Sequence, residues 1–559
     1  MQRVGWGDEG SAHARMRLAW RLVRAGLLAL SAAGLTLALG GGVAGARIFR
    51  VGKYNGVRGG YTTIAKAVEA AKPGDWILVG PGDYKEEGDS VPVGADQGAA
   101  VLVTKPGLHI RGMDRNAVIV DGTKKKTATC SSTAASQNPG PLDSGGNPVG
   151  RNGIEVYKAT GVSIENLTAC NFLNGSSGGG NAIWFNFGDG SGIQEAGPWR
   201  GAYLSATSSY YEGENKPFSS YGIFTSDTAG PGLYTQVYAN NQADSAFYIG
   251  ACPDCNTVLD HAHAETSALG YSGTNSGGRL VIQNSEFDEN QSGFVSNSQN
   301  NDDAPSPQDG KCPGEGTGPT GTHSCWIFTK NSVHDNNNPN VPTTGAAAAG
   351  PVGSGVVISG GRHDTVTENH IYNNGAWGVL LAPYPDTETP PPISHCQGGI
   401  EETVEGTHVC YYDDFGNEVE NNTFTNNGFF ANVGNVDAGE LSNPELEGNC
   451  WHGNTNTGGE VTSEPKLIQS PPHSTCGIPD TGEPLASPLG VQVACDTQLL
   501  FECPSTVVAN YPRREKVELK PLPTEATMAN PCEGVPYNPW CPTNPKKPAP
   551  YPVPGTPAG

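Results

Sequence analysis

Charge is scarce in this chain. Only 16% of its 559 residues are charged, and 33 Lys and Arg stand against 56 Asp and Glu. A formal net charge of −23 excludes a nucleic-acid binder held by counterion release. Hydrophobic residues reach only 36%, although over this length they still fill a large core. There is no collagen period and no heptad run, and no apolar stretch of membrane length follows the amino terminus. What the chain has in excess is turn formers. Its 77 Gly and 44 Pro make about 22% of the residues, against roughly 12% in average usage. They are spread along the sequence, which argues for a loop-rich β protein.

Residues 1–46 read as a signal peptide. Arg15, Arg17, Arg21 and Arg24 form a positive region, Leu27 to Leu39 is an apolar run, and Ala44-Gly45-Ala46 supplies small residues for cleavage. The acids Asp8 and Glu9 are out of place there, and Met16 offers a later start. Cleavage after Ala46 removes five Arg and two acids and leaves a mature charge of −26. Export to an oxidising compartment favours disulfides for the 14 Cys. Cys252 and Cys255 read as a small loop. Cys312 and Cys325 share one insertion and Cys396 and Cys410 another, so three local bridges are expected: Cys252–Cys255, Cys312–Cys325 and Cys396–Cys410. The pairing of the six Cys between 450 and 541 stays open among 15 connectivities.

A repeat runs through the middle of the chain. Asp260, Asn284, Asn331, Asn369 and Asn421 align as a polar column. Three residues on lie His263, Phe287, His334, Tyr372 and Phe424, and two residues before lie Val258, Ile282, Thr329, Thr367 and Val419. A second set, Ile223, Phe247, Tyr271, Phe294, Val356 and Val379, opens short strands at steps of 23 or 24 residues, with longer steps filled by Pro/Gly/Asn-rich insertions. Three short strands per period and an amide column predict a parallel β-helix. Its rungs stack at about 4.8 Å, so equivalent residues line up in columns. In this alignment the aromatic and His column faces inward, making His263 and His334 core residues. His261 and His370 then fall outward, three rungs and roughly 14 Å apart.

The amino-terminal part adds a helix over Tyr61–Ala71, with Ile64, Val68 and Ala71 on one face. It is followed by Gly74-Asp75-Trp76-Ile77-Leu78-Val79-Gly80-Pro81-Gly82-Asp83-Tyr84-Lys85-Glu86. That run resembles the first coils of right-handed parallel β-helix proteins of the pectin-lyase-like superfamily. The resemblance covers roughly residues 50–450 and implies a helix capping the open end of the core. It also implies a polysaccharide groove along one sheet, although the superfamily includes non-enzymes. The expected organisation is a signal peptide over 1–46, a β-helix domain over 47–450 and an irregular Cys/Pro-rich region over 451–559. The Pro-rich end, PKKPAPYPVPGTPAG, reads as extended.

Function is harder to read. With Ile223 and its equivalents inward, the outward residues Phe224, Tyr248, Ser272, Val295, Val357 and Leu380 include no Asp, Glu, Lys, Arg or His. One cluster lies at the bend beyond that sheet: Asp302 and Asp303 on one rung, Arg362, His363 and Asp364 on the next, Asp386 after it. Arg362, His363 and Asp364 are the candidate acid–base residues, and Asp302, Asp303 and Asp386 the candidate ligands of a calcium ion. A solvated acidic loop edge explains the same residues without chemistry. Trp184, Phe185, Phe187, Tyr210 and Tyr211 offer sugar-stacking platforms, or else fill the core. Two classes of function remain. One is a secreted protein that binds or processes polysaccharide as a lyase or hydrolase. The other is a non-catalytic cell-surface β-helix. Surface glycan is the expected partner, with no nucleic acid and no membrane span after cleavage.

Overall fold

In the computed structural model, three strands per turn wind into a right-handed parallel β-helix with three faces. The structure describes residues 45–543 apart from 88–90, 92–97, 189–196, 253, 300–325, 346, 348–349, 387–399, 405–406, 442–447, 480–481, 498–502 and 509. All but the last two residues of the segment expected to be a signal peptide, and the Pro-rich end, fall outside these residues. From Ile48 onward the described chain forms one compact unit. Faces one and two belong to a single 19-stranded sheet, and face three is an 11-stranded sheet. Face one runs from Ile48–Val51 through Thr257–Glu265 to Cys450–His452, and face three from Gly98–Val103 through Tyr221–Ser226 to Ser463–Glu464. Long strands such as Val162–Cys170 and Gly232–Asn240 bend across the edge and serve faces one and two together.

The bends have a simple cause. A single residue with left-handed backbone turns the chain from face one to face two: Asn166, Gln236, His261, Asn284, Lys330, Glu368 and Asn421 all have φ between 51° and 60°. Five residues later a second one turns it toward face three: Asn171, Asn241, Thr266, Glu289, Asp335, Asn373 and Asn426. Asn recurs at both corners because its short side chain tolerates this conformation.

The residue after each corner builds an amide ladder. Asn331 donates its backbone N–H to Asn369 Oδ1 at 2.9 Å, Asn369 to Asn422 at 3.0 Å and Asn422 to Asn454 at 3.0 Å. Asn290, Asn336, Asn374 and Asn427 form the equivalent ladder at the second corner. The polar column read from sequence therefore merges three adjacent positions: Asn331 and Asn369 are ladder residues, Asn284 and Asn421 are corner residues, and Asp260 precedes the corner His261. The one-residue slip turns side chains to the opposite side of the sheet. On face two the inward column is Ala264, Phe287, Val333, Ile371 and Phe424. Phe287 and Phe424 face inward as expected, but His263, His334 and Tyr372 point outward. On face three the expected inward column holds in full: Ile223, Phe247, Tyr271, Phe294, Val356 and Val379 pair in register and are buried.

Helix Ile64–Ala70 caps the amino-terminal end with Ile64, Ala67 and Val68 buried. Glu86, from the recognised motif, closes its first turn by accepting the N–H groups of Ile64 at 2.5 Å and Ala65 at 3.4 Å, where the helix dipole favours a carboxylate. At the other end, helix Pro488–Asp496 packs Leu489 and Val493 over Val357, Trp377 and Leu380, covering the outer side of face three there. The chain then returns along the solenoid. Glu515 N–H meets Asn340, Lys520 N–H meets Asn241, Met528 N–H meets Asn166, and Trp540 Nε1 reaches the Val57 carbonyl. Corner amides that serve no ladder thus hold this returning segment. The bridges Cys450–Cys476, Cys495–Cys503 and Cys532–Cys541 are local, Cys252–Cys255 is present, and Cys130–Cys170 adds one that spacing did not suggest. Cys410 is disulfide-bonded. Cys312, Cys325 and Cys396 lie outside the described residues.

Candidate functional site

Of the residues expected to form an acidic edge, the described ones, Arg362, His363, Asp364 and Asp386, are half-buried or enclosed. Arg362 is half-buried, with its guanidinium 4.3 Å from the centre of the Phe415 ring. His363 occupies a left-handed corner and donates its N–H to the Phe415 carbonyl at 3.2 Å. Asp364 is enclosed, and burial pushes its carboxyl well above the usual range despite an N–H bond from Trp326. Asp386 is also enclosed, in strand Tyr384–Asp386 opposite Cys410. Asp302 and Asp303 lie outside the described residues.

Face three offers a different surface three to five turns earlier than Arg362–Asp364. Trp184, Phe224 and Tyr248 stand in one outward column on successive rungs, and Tyr221 stands beside them. Trp184 and Phe224 stack at 5.0 Å with 6° between their planes, and Tyr221 and Phe224 stack at 4.7 Å. Tyr248 meets Phe224 edge-on at 4.7 Å. Trp184, Phe224 and Tyr221 are half-exposed, although their ring area is large enough to fill a core. Polar groups line the row: Trp184 Nε1 donates to Ser226 Oγ at 3.2 Å and Tyr221 Oη to Asp244 at 2.9 Å. Of the other aromatics considered, Phe185 and Phe187 are core residues, Tyr210 is buried, and Tyr211 bonds the Thr343 carbonyl.

The same column continues to Glu155, paired in register with Trp184. Asn186 donates to Glu155 Oε1 at 3.0 Å and Asn152 to Oε2 at 3.2 Å. Burial raises the Glu155 carboxyl, and the two amides oppose this only in part. A stacked aromatic row ending at a carboxyl biased toward its neutral form can hold sugar rings and donate a proton. The sequence reading missed Glu155 because its face-three column began at Ile223. The signal was present in Gly153-Ile154-Glu155-Val156, which repeats the small-apolar-outward-apolar pattern of later rungs.

Face two carries the ionisable residues that slipped inward in the sequence alignment. One outward column holds Tyr238, His263, Glu286, Ser332 and His370. The adjacent one holds Glu265, Asp288, His334 and Tyr372. His263 Nε2 lies 2.7 Å from Asp288 Oδ1. Burial alone would lower this imidazole, but the bond to Asp288 and the fields of Glu286 and Glu265 outweigh it, so His263 is raised. His334 is raised in the same way, with burial outweighed by Glu286 at 3.1 Å and Asp335 at 2.9 Å. His370 is lowered by burial and by His334. Glu265 is buried between Tyr238 Oη and Lys520 Nζ, and Lys520 also bonds Glu289 at 2.9 Å. The returning carboxy-terminal segment is thereby pinned to this row.

No family model matches the chain, and no curated protein does. Solved structures of low similarity do. The mannuronan C-5 epimerase A-module of Azotobacter vinelandii is 14% identical over 71% of this chain and 88% of its own, with a TM-score of 0.39. An alginate lyase from Paenibacillus is 12% identical over 72% and 94%, with a TM-score of 0.30. An α-1,3-glucanase from Streptomyces thermodiastaticus is 11% identical over 76% and 70%, with a TM-score of 0.27. The chain's own parallel pairing, corner geometry and amide ladders define it as a right-handed parallel β-helix. No helix among the described residues is long and apolar enough to cross a membrane.

Proposed function

We propose that the protein is a secreted β-helix that binds and processes an extracellular polysaccharide along the outer side of face three. The observation that carries this reading is the half-buried aromatic row of Trp184, Phe224 and Tyr221, backed by the buried Tyr248 and ending at Glu155. Flat apolar rings suit the faces of pyranose sugars, and their repeat at rung spacing suits a polymer. The helix Pro488–Asp496 covers the far end of the same face, which limits the bound stretch to the rungs before it. Glu155 is the proposed proton donor, because its carboxyl keeps its proton to higher pH than an ordinary glutamate. The apolar segment over 27–39 and the local disulfides support export.

Purified protein is to be screened against neutral and acidic glycans, for binding and for released products. Trp184→Ala with Phe224→Ala should weaken binding tenfold or more, and Glu155→Gln should keep binding while losing product. No binding to any glycan would overturn the proposal. One observation favours the non-catalytic reading of a surface β-helix: the most ionisable face is neutralised internally, with His263 and His334 each held by a carboxylate. On that reading glycan binds at face three and no product forms with any substrate.

A further inference from the structure

The last rung of face one brings together a set of metal-ligand side chains that the polysaccharide reading does not use. Strand Cys450–His452 pairs with Glu418–Glu420, placing Cys450 opposite Glu418 and His452 opposite Glu420. Trp451 points inward and is fully buried, so Cys450 and His452 lie on the outer side with the two glutamates. Cys476 arrives from the following turn, which is fixed by the bond from Trp451 N–H to the His473 carbonyl at 3.0 Å. Its Cα lies 5.0 Å from that of Cys450, and the two sulfurs form a disulfide. One ligand atom each from Glu418, Cys450, His452 and Cys476 lies within 4.8 Å of all the others.

We propose that this corner is a zinc site when its disulfide is reduced. Two thiolates, one imidazole and one carboxylate are a four-ligand set for tetrahedral Zn2+, whose bonds of roughly 2.0–2.3 Å put ligand atoms about 3–4 Å apart. The thiolates select zinc over calcium or magnesium. His452 is already oriented for the task. Its Nε2 lies 3.1 Å from Glu418 Oε1, and its Nδ1 lies 3.8 Å from Glu420 Oε2. Glu420 adds a second carboxylate beside this imidazole, beyond hydrogen-bond distance. The chemistry balances with a dithiol as reductant. The Cys450–Cys476 bond takes two electrons and two protons and opens to two thiols, while the dithiol closes to its own disulfide. Zn2+ then displaces both thiol protons. Cys476 is exposed, so a reductant reaches this bond from solvent.

The test uses the full chain and Co2+ as a spectroscopic stand-in for Zn2+. Mild dithiol treatment followed by alkylation and peptide mapping establishes that Cys450 and Cys476 are reduced, and far-UV circular dichroism establishes that the β-helix persists. The reduced protein should then bind one Co2+ with a thiolate charge-transfer band and intense tetrahedral ligand-field bands, both removed by Zn2+. The oxidised protein and a Cys450→Ser/Cys476→Ser variant should show neither. His452→Ala, which alters only an outer side chain, should weaken Co2+ binding at least tenfold. The proposal is overturned if reduced wild type binds no more Co2+ than the double serine variant, or if His452→Ala and Glu418→Gln leave the spectrum unchanged.

Discussion

Replacing Asn331 by Ala tests the wall of the solenoid where sequence and structure disagree about register. The Asn331 side chain accepts the Ser285 N–H at 3.0 Å and donates to the Ile282 carbonyl at 3.0 Å and to Asn369 Oδ1 at 3.1 Å. All of these groups are buried. Each bond contributes about 1 kcal/mol net, and each buried group left without a partner costs about 1–3 kcal/mol. Asn331→Ala should therefore destabilise the protein by about 3–5 kcal/mol. Asn284, aligned with Asn331 in the sequence, is the control. It is an exposed corner residue with φ of 51°, and its amide makes one bond, to Asp260 at 2.8 Å. Its change to Ala should cost about 1 kcal/mol, mostly for left-handed backbone without Asn. Urea unfolding followed by circular dichroism measures both, with the slope required to stay constant. Equal losses, or a larger loss at Asn284, would refute the assignment of ladder and corner positions.

Further outcomes follow from the titrating groups and the cysteines. Asp496 is held by Tyr511 at 2.6 Å, and burial pushes its carboxyl up to about 7 against the bonds from Tyr511 and Gln492. The folded state then binds a proton that the unfolded state has lost, so stability should fall by up to about 4 kcal/mol between pH 4 and pH 7, and Asp496→Asn should flatten that slope in a pH series of urea melts. His263 and His334 should titrate above the ordinary imidazole value by NMR, and Asp288→Asn should lower His263 by removing its anionic partner. Stability from these two histidines is present below the ordinary value and is lost as pH rises through their folded values. Non-reducing peptide mapping should pair Cys312 with Cys325 and Cys396 with Cys410. Cys312 joined to Cys396 would contradict the view of each insertion as a local loop.

The solenoid was legible because its strongest columns are chemically uniform. Ile223, Phe247, Tyr271, Phe294, Val356 and Val379 recur at a nearly fixed step, and every one is inward. Face two is not legible because adjacent positions, corner and ladder, both favour Asn, and the residue before a corner can be Asp, as at Asp260. An alignment on one Asn per rung cannot tell Asn284 from Asn331, and the resulting slip hid the outward row of His263, Asp288 and His334. Cys130–Cys170 was not legible either, since it joins positions 40 residues apart whose proximity arises only when the coils stack. The same holds for Glu155 and Trp184, which are 29 residues apart in sequence and opposite each other in register. The burial of Asp364 and Asp386 also depends on stacking, which one sequence read residue by residue does not display.

Hydrogen–deuterium exchange on the glycan-saturated protein is the most direct test of the placement of the polysaccharide on face three. The aromatic row predicts added protection in 183–186, 221–226 and 245–250, with the face-two strands over 263–265, 286–288 and 332–334 unchanged. Protection confined to face two, or none at either face while glycan is bound, would contradict the placement.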